Sequence, residues 1–296
     1  MPISRERLSE LFGMREPALE LVASIREPQG DYVLETLAFE MHGVGPVRGF
    51  LTRPAQATGR LPALLYAHSH GGEYGIGARE LLDGRTYLLD PLGPVFARAG
   101  YVTLCIDMPT FGDRSNVTES AATKALIWHG KSLIGQMLGE QAAALSYLRG
   151  RDDVDAARVG MFGISLGSTL AYWLAAVDPR LAAIAHLCCY ADYETLIELG
   201  AHDGHGIYLL VPGLLNETST GEIAGLVAPR PQLICVGDDD ALTPPLSVDR
   251  ALPATRLGYA QAGADDALQV YRQPGVRHQE TPEMRQRVLG FFARTL

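Results

Sequence analysis

Gly163-Ile164-Ser165-Leu166-Gly167 stands between the apolar run Arg158-Val159-Gly160-Met161-Phe162 and the alanine-rich stretch Ser168 to Val177. An apolar run, a glycine-flanked serine and then a helix-forming segment is the order found at a nucleophile elbow, where a strained strand-to-helix turn presents the serine hydroxyl. The glycines answer a steric demand, since such a turn leaves no room for Cβ atoms on either side of the serine. The helix that follows directs its free N-terminal N–H groups at negative charge developing beside it. Ser165 is therefore expected to be a nucleophile, with a strand ending near Gly163 and a helix starting just beyond it.

By itself the pentapeptide also fits an ordinary tight turn. Two further stretches tip the balance, because they follow in the order serine, acid, histidine. Leu233-Ile234-Cys235-Val236-Gly237-Asp238-Asp239-Asp240-Ala241-Leu242-Thr243-Pro244-Pro245 is a β-like run ending in an acidic turn and a Thr-Pro helix start. Gly275-Val276-Arg277-His278-Gln279-Glu280-Thr281-Pro282 then sets one histidine just before a C-terminal helical stretch. His278 is the expected general base; a helix-capping role is the structural alternative.

Outward from the elbow, short apolar runs recur at Ala63 to Ala67, Val102 to Ile106, Val159 to Gly163, Leu181 to Cys188, Gln232 to Val236 and Leu268 to Arg272. Each is nearly continuous rather than alternating, as in strands covered on both faces. Helix-forming stretches lie between them at Pro94 to Ala99, about Glu119 to Leu148, Gly167 to Val177 and Gln279 to Leu296. The pattern predicts an α/β chain, doubly wound, with a mostly parallel sheet flanked by helices. Alternating runs at Tyr32 to Met41 and Val47 to Arg53 predict an antiparallel pair at one sheet edge. Arg5 to Ile25 reads as helical, giving an N-terminal helical extension over residues 1–30. No repeat or low-complexity linker interrupts residues 1–296, which read as a single domain. The irregular stretch 190–226, rich in Gly, His and aromatic residues, is longer than an ordinary connection and is expected to be a small cap-like insertion or pocket wall.

The bulk properties exclude several classes. The 296 residues carry a formal charge of −9 without any basic cluster, which argues against nucleic acid or an anionic membrane as partner. At 47% hydrophobic and 20% charged, the composition is that of a globular protein. The start Met1-Pro2-Ile3-Ser4-Arg5-Glu6-Arg7 lacks the apolar core of a signal peptide, and no apolar run reaches the roughly 18 residues of a membrane span, so a cytoplasmic location is expected. Cys105, Cys188, Cys189 and Cys235 lie in apolar runs and read as buried free thiols, with Cys188 and Cys189 on opposite faces of a strand.

Leu64-Leu65-Tyr66-Ala67-His68-Ser69-His70-Gly71-Gly72-Glu73 places a His-Gly-Gly turn directly after a strand. Acyl transfer needs two backbone donors on the oxyanion, and Leu166 N–H and Gly72 N–H are the expected pair, with Gly71 as substitute. His68-Ser69-His70 also begins like a metal site, but the H-x-H-x-D-H pattern of metallo-β-lactamases needs Asp and His where this chain has Gly72 and Glu73. His202 and His205 could add ligands, yet no complete set emerges; no metal and no organic cofactor is expected. His205 is instead placed in the substrate pocket. Asp107 to Arg114 offers carboxylates that could be catalytic but reads as a turn held by Asp side chains and an internal ion pair, and Trp128 to Leu133 as helix packing.

At these residues the chain resembles an α/β-hydrolase, and within that superfamily the dienelactone hydrolase and acetyl xylan esterase-like group. The likeness rests on His70-Gly71-Gly72, the Gly163 to Gly167 elbow, Ala228-Pro229-Arg230-Pro231, the Asp240 to Pro245 turn and His278, and spans about Tyr32 to Leu296. Members with a cysteine nucleophile hydrolyse dienelactone; Ser165 at this elbow favours carboxylic esters. In the related esterases the acid precedes a Thr-Pro or Pro-Pro helix start by three or four residues. The resemblance thus implies Asp240, four residues before Pro244, as the acid; Asp238 and Asp239, nearer the strand end, are expected to bind turn N–H groups. It implies a serine esterase acting on a small-molecule ester through an acyl-enzyme. A peptidase or amidase, or a lactone or C–C bond hydrolase, would use the same triad, and a ligand-binding protein without turnover is the reading from another class.

Overall fold

The computed structural model describes residues 3–296. Along the chain the elements are α1 (Arg5–Phe12), β1 (Leu19–Pro28), β2 (Tyr32–Met41), β3 (Gly45–Pro54), β4 (Leu61–Ala67), α2 (Glu80–Asp83), α3 (Leu92–Arg98), β5 (Val102–Ile106), α4 (Glu119–Trp128) and α5 (Leu133–Arg149). There follow β6 (Val154–Ile164), α6 (Leu166–Val177), β7 (Ile184–Leu187), α7 (Tyr193–Glu198), α8 (Thr220–Gly225), β8 (Gln232–Gly237), α9 (Pro245–Gln261), β9 (Leu268–Gln273) and α10 (Pro282–Thr295). The nine strands form one sheet in the order β1-β2-β3-β5-β4-β6-β7-β8-β9. From β5 through β9 every pairing is parallel, while β1, β2 and β3 are antiparallel to their neighbours. This is the expected α/β architecture with its mostly parallel sheet.

Alternation along each central strand divides the apolar side chains between two cores. In β4, Ala63, Leu65 and Ala67 join Val159 and Met161 of β6 beneath α1, α5 and α6. Leu64 and Tyr66 point the other way, joining Phe162 and Ile164 beneath α3 and α10. Both faces are covered, which explains why these strands read as continuous apolar runs. On the first face α1 is pinned by Phe12, whose ring stacks on Trp173 of α6 at 4.5 Å. Fully burying such a side chain contributes about 1.5–3 kcal/mol.

Several boundaries differ from the sequence reading. The helical extension over 1–30 is corrected: the described helix covers only Arg5–Phe12, and Leu19–Pro28 forms β1, paired along its length with β2. Gly13 closes the helix in a left-handed conformation and Pro17 lies between the two elements. Because β1 is an exposed edge strand, it lacks the one-sided apolar pattern that identifies a strand. The expected antiparallel pair is accordingly a three-stranded meander.

The long helix expected at Glu119 to Leu148 is two helices, α4 and α5. Gly130 turns with a φ of 67°, and Ser132 restarts the helix by accepting the Gly135 N–H at 3.0 Å. Trp128 does not pack as expected; at the end of α4 it is 88% exposed. The strand expected at Leu181 to Cys188 shrinks to Ile184–Leu187, and Cys188 and Cys189 bend away with φ of 61° and 43° instead of alternating across a strand. All four cysteines are free and buried.

Candidate active site

The loops that leave the carboxyl ends of β4, β6, β7 and β8 converge, as ligand-binding loops do in open parallel sheets. Ser165 sits between β6 and α6 with φ 60° and ψ −121°, a conformation that L side chains rarely adopt. The flanking glycines are sterically required. A Cβ on Gly163 would land on the Gly167 backbone, and one on Gly167 on the Ala67 carbonyl. The turn is held by Ser165 N–H donating to Leu187 O at 3.0 Å. Leu166 opens α6, so its N–H is among the helix donors that have no intrahelical acceptor.

Asp240 and His278 meet although 38 residues separate them: His278 Nδ1 lies 2.7 Å from Asp240 Oδ2. The second carboxylate oxygen accepts the Leu242 N–H at 2.9 Å, and the Asp240 side chain is wholly buried. His278 is presented by the β9–α10 loop, where Gln279 N–H closes a tight turn on Arg277 O. Its Nε2 is buried and has no hydrogen-bond partner among the described residues. Ser165 and His278 line the same cavity, of about 370 Å³, together with Gly71, Gly72 and His205.

The His70-Gly71-Gly72 turn reaches that cavity, but not in the expected way. Gly72 N–H donates to His70 Nδ1 at 3.0 Å, so, contrary to expectation, it is not free to meet an oxyanion. Among the described residues no acceptor holds the Gly71 N–H. The loop beneath is anchored by buried Glu80, which accepts from Ser69 N–H at 2.9 Å, Tyr66 O–H at 2.7 Å and Arg85 Nε at 2.8 Å. Arg85 also donates to His70 O at 3.2 Å.

His205, from the 190–226 stretch, lines the cavity and lies with Nε2 at 3.0 Å from Leu242 O. Burial lowers its pKa, so the ring is neutral at pH 7 and Nε2 carries the donated proton. That stretch contains α7, α8 and three short 3₁₀ turns rather than structureless chain. Beside it lies a second cavity of about 380 Å³, sharing His205 and Gly206 and otherwise walled largely by apolar groups such as Leu196, Ile207 and Leu209.

The His68 and His70 pair is not arranged for a metal. His68 has Ser69 O at 2.9 Å from Nδ1 and the Met108 N–H at 3.3 Å from Nε2, while both His70 nitrogens are engaged by Gly72 and Glu119. Among the described residues, Cys188, Asp240 and His278 come near enough to share an ion. Their carboxylate and imidazole are already bonded to each other, and burial raises the Cys188 thiol well above its ordinary value. Asp107 does hold its turn, accepting from Ala78 N–H at 2.7 Å and Asp113 N–H at 3.1 Å, but the ion pair is not internal: Asp107 pairs with Arg48 at 3.0 Å and Arg114 with Glu140.

Three cavity residues had no signal in the sequence. Cys189 puts Sγ 3.9 Å from Ser165 Oγ, with burial pushing its thiol up to about 12. Tyr87 faces His278 edge-on, and Tyr208 stacks on His70. Each comes from a loop whose path to the site is set only by the fold.

Residues 90–196 match the dienelactone hydrolase family. The chain is 36% identical over 298 aligned residues to the Bacillus subtilis (strain 168) protein named "Putative hydrolase YtaP", covering 98% of this chain and 99% of that one. Among solved structures it resembles a "putative acetyl xylan esterase" from Bacteroides fragilis NCTC 9343, with TM-score 0.72 and 20% identity over 90% of this chain and 73% of that one. It also resembles Acetyl Xylan Esterase 1 from Thermoanaerobacterium sp. JW/SL YS485, with TM-score 0.66 and 18% identity over 98% and 92%. With the fold, the strained Ser165 turn and a full-length relative in agreement, the chain belongs to the dienelactone hydrolase group of the α/β-hydrolases and is a hydrolase.

Proposed function

We propose that this hydrolase cleaves small carboxylic esters through an acyl-enzyme, with Ser165 as nucleophile, His278 as general base and Asp240 as the acid that orients it. The observation that carries this reading is the buried, unpartnered Nε2 of His278, lining one cavity with Ser165 while Nδ1 is held by Asp240. An imidazole fixed at one nitrogen and open at the other is arranged to take a proton from whatever hydroxyl lies before it. His278 Nε2 removes the Ser165 proton as Oγ attacks the ester carbonyl. Leu166 N–H and Gly71 N–H stabilise the oxyanion, and the imidazolium gives its proton to the departing alcohol. Water repeats the sequence on the acyl-enzyme and releases the acid. The chain's own groups perform every proton transfer, so this reaction calls on no cofactor.

The structural neighbours named as acetyl xylan esterases support ester over amide substrates. No helix among the described residues is long and apolar enough to cross a membrane. Four unpaired buried thiols fit a reducing compartment such as the cytoplasm. The test is reaction with a fluorophosphonate probe followed by peptide mapping. The adduct is expected on Ser165, and labelling elsewhere, or none, would overturn the nucleophile.

A further inference from the structure

We propose that Glu119 is a positioning residue that sets the oxyanion turn through His70 and, with its other oxygen, ties the 204–208 segment to the same cavity wall; this rests on the reading of Ser165 given above. Glu119 is the first residue of α4, yet its carboxylate is turned inward and only 6% exposed. Oε2 lies 2.6 Å from His70 Nε2 and accepts the Tyr74 O–H at 3.3 Å, while Oε1 accepts the Tyr208 N–H at 3.3 Å. The segment passes so close that a Cβ on Gly206 would press against Oε1. Loops that are far apart in sequence thus end on one side chain.

The hydrogen bonds determine where the protons lie. Because Gly72 N–H donates to His70 Nδ1, that nitrogen presents its lone pair and the ring proton is on Nε2, facing Glu119. The rings of Tyr74, Phe111 and Tyr208 surround the imidazole, with centroids 5.1, 5.2 and 5.4 Å away. Glu119 thereby selects the His70 tautomer, His70 holds the Gly72 N–H inside the turn, and the N–H of Gly71, a cavity-lining residue, is left without an acceptor among the described residues. Burial pushes the Glu119 carboxyl up, but the His70, Tyr208 and Tyr74 donors outweigh it and lower its pKa. Two acceptor oxygens are needed at once. Glutamine has only one, and its NH₂ would meet either the Tyr208 N–H or the His70 donor.

The contact from His70 to the N–H two residues on has the shape of an Asx turn, which asparagine can make with its own side-chain oxygen. Asparagine at 70 therefore keeps the turn without needing Glu119. The experiment compares wild type with E119Q, H70A and H70N by amide hydrogen exchange and by p-nitrophenyl acetate kinetics, with fluorophosphonate labelling as a separate check on Ser165. E119Q is expected to speed exchange at Gly72 or at Tyr208, whichever contact the glutamine NH₂ displaces, or at both. H70A should lower kcat roughly 100-fold, the scale of one lost oxyanion donor, with KM changed less than about threefold. H70N should recover most of that loss and protect Gly72. Wild-type exchange at both amides in E119Q would overturn the proposal whatever the nucleophile is. So would wild-type kcat in H70A, or equal losses in H70A and H70N, in protein that still labels at Ser165. Failure to label Ser165 in wild type would strike the nucleophile reading instead, leaving the exchange results to decide the role of Glu119.

Discussion

Three consecutive aspartates leave β8 for three different surroundings. Asp238 pairs with Arg272 at 2.8 Å and Asp239 is exposed, and it is Asp240, buried against His278, rather than either of them that accepts a turn N–H, from Leu242. Asparagine at 240 would keep the shape but remove the charge that stabilises the imidazolium and would favour the wrong tautomer. We expect Asp240→Asn to lower kcat for p-nitrophenyl acetate roughly 10²–10⁴-fold, while Asp238→Asn and Asp239→Asn stay within about tenfold. A crippling Asp239→Asn would move the acid by one residue. Ser165→Ala should leave a folded protein with turnover reduced by about 10⁴ or more, measured on material whose circular dichroism matches wild type. Only part of this was legible beforehand. The spacing to Pro244, read through the family likeness, singled out Asp240, whereas the diversion of the Gly72 N–H to His70 depends on a ring conformation that no spacing encodes.

At the scale of the element, the elbow joins β6, α6 and the end of β4 through contacts that tolerate no added atom. Gly167→Ala would drive a methyl group into the Ala67 carbonyl, backbone against backbone, where no flexible side chain can give way. We expect it to cost about 1–3 kcal/mol or more in urea unfolding. Gly75→Ala, with nothing within 4 Å of the new Cβ and no positive φ, should shift the midpoint little. Equal shifts for the two would mean that the elbow is not the tight point described. The central strands and the elbow were readable because continuous apolar runs and a steric demand leave local traces. The α4–α5 break and β1 were not. Gly130 is tolerated inside a helical pattern, and an exposed edge strand carries no one-sided apolar stripe.

Across the whole molecule, burial places three histidines where protonation opposes folding. His68, His186 and His205 all have lowered pKa values through desolvation, and that of His186 falls to about 3 from an ordinary 6.5. His186 is held between Gln232 Nε2 and Ser168 Oγ, each at 3.0 Å, and Ser168 Oγ donates to Cys188 O at 2.7 Å beside the elbow. As the pH falls, the unfolded chain takes up these protons first, so stability is complete above about 6.5 and declines below it. Each such histidine contributes a slope of at most about 1.4 kcal/mol per pH unit. His186→Gln should therefore flatten the fall in urea stability between about pH 6.5 and 5, whatever it does to stability at neutral pH. An unchanged slope would show that His186 is not protonated on unfolding.

The sequence by itself determined the α/β architecture, the elbow and the order of serine, acid and histidine. Strand burial, glycine sterics and chain order are properties of contiguous residues, and they leave their pattern within a few positions. Only the tertiary structure decided that His278 meets Asp240, that His70 Nδ1 takes up the Gly72 N–H, and that His70, Glu119 and Tyr208 join from three separate segments. Those pairings depend on where parallel strands deliver their carboxyl-end loops. Loop paths are set by packing between residues far apart in the chain, so the physical cause lies outside any local stretch of sequence.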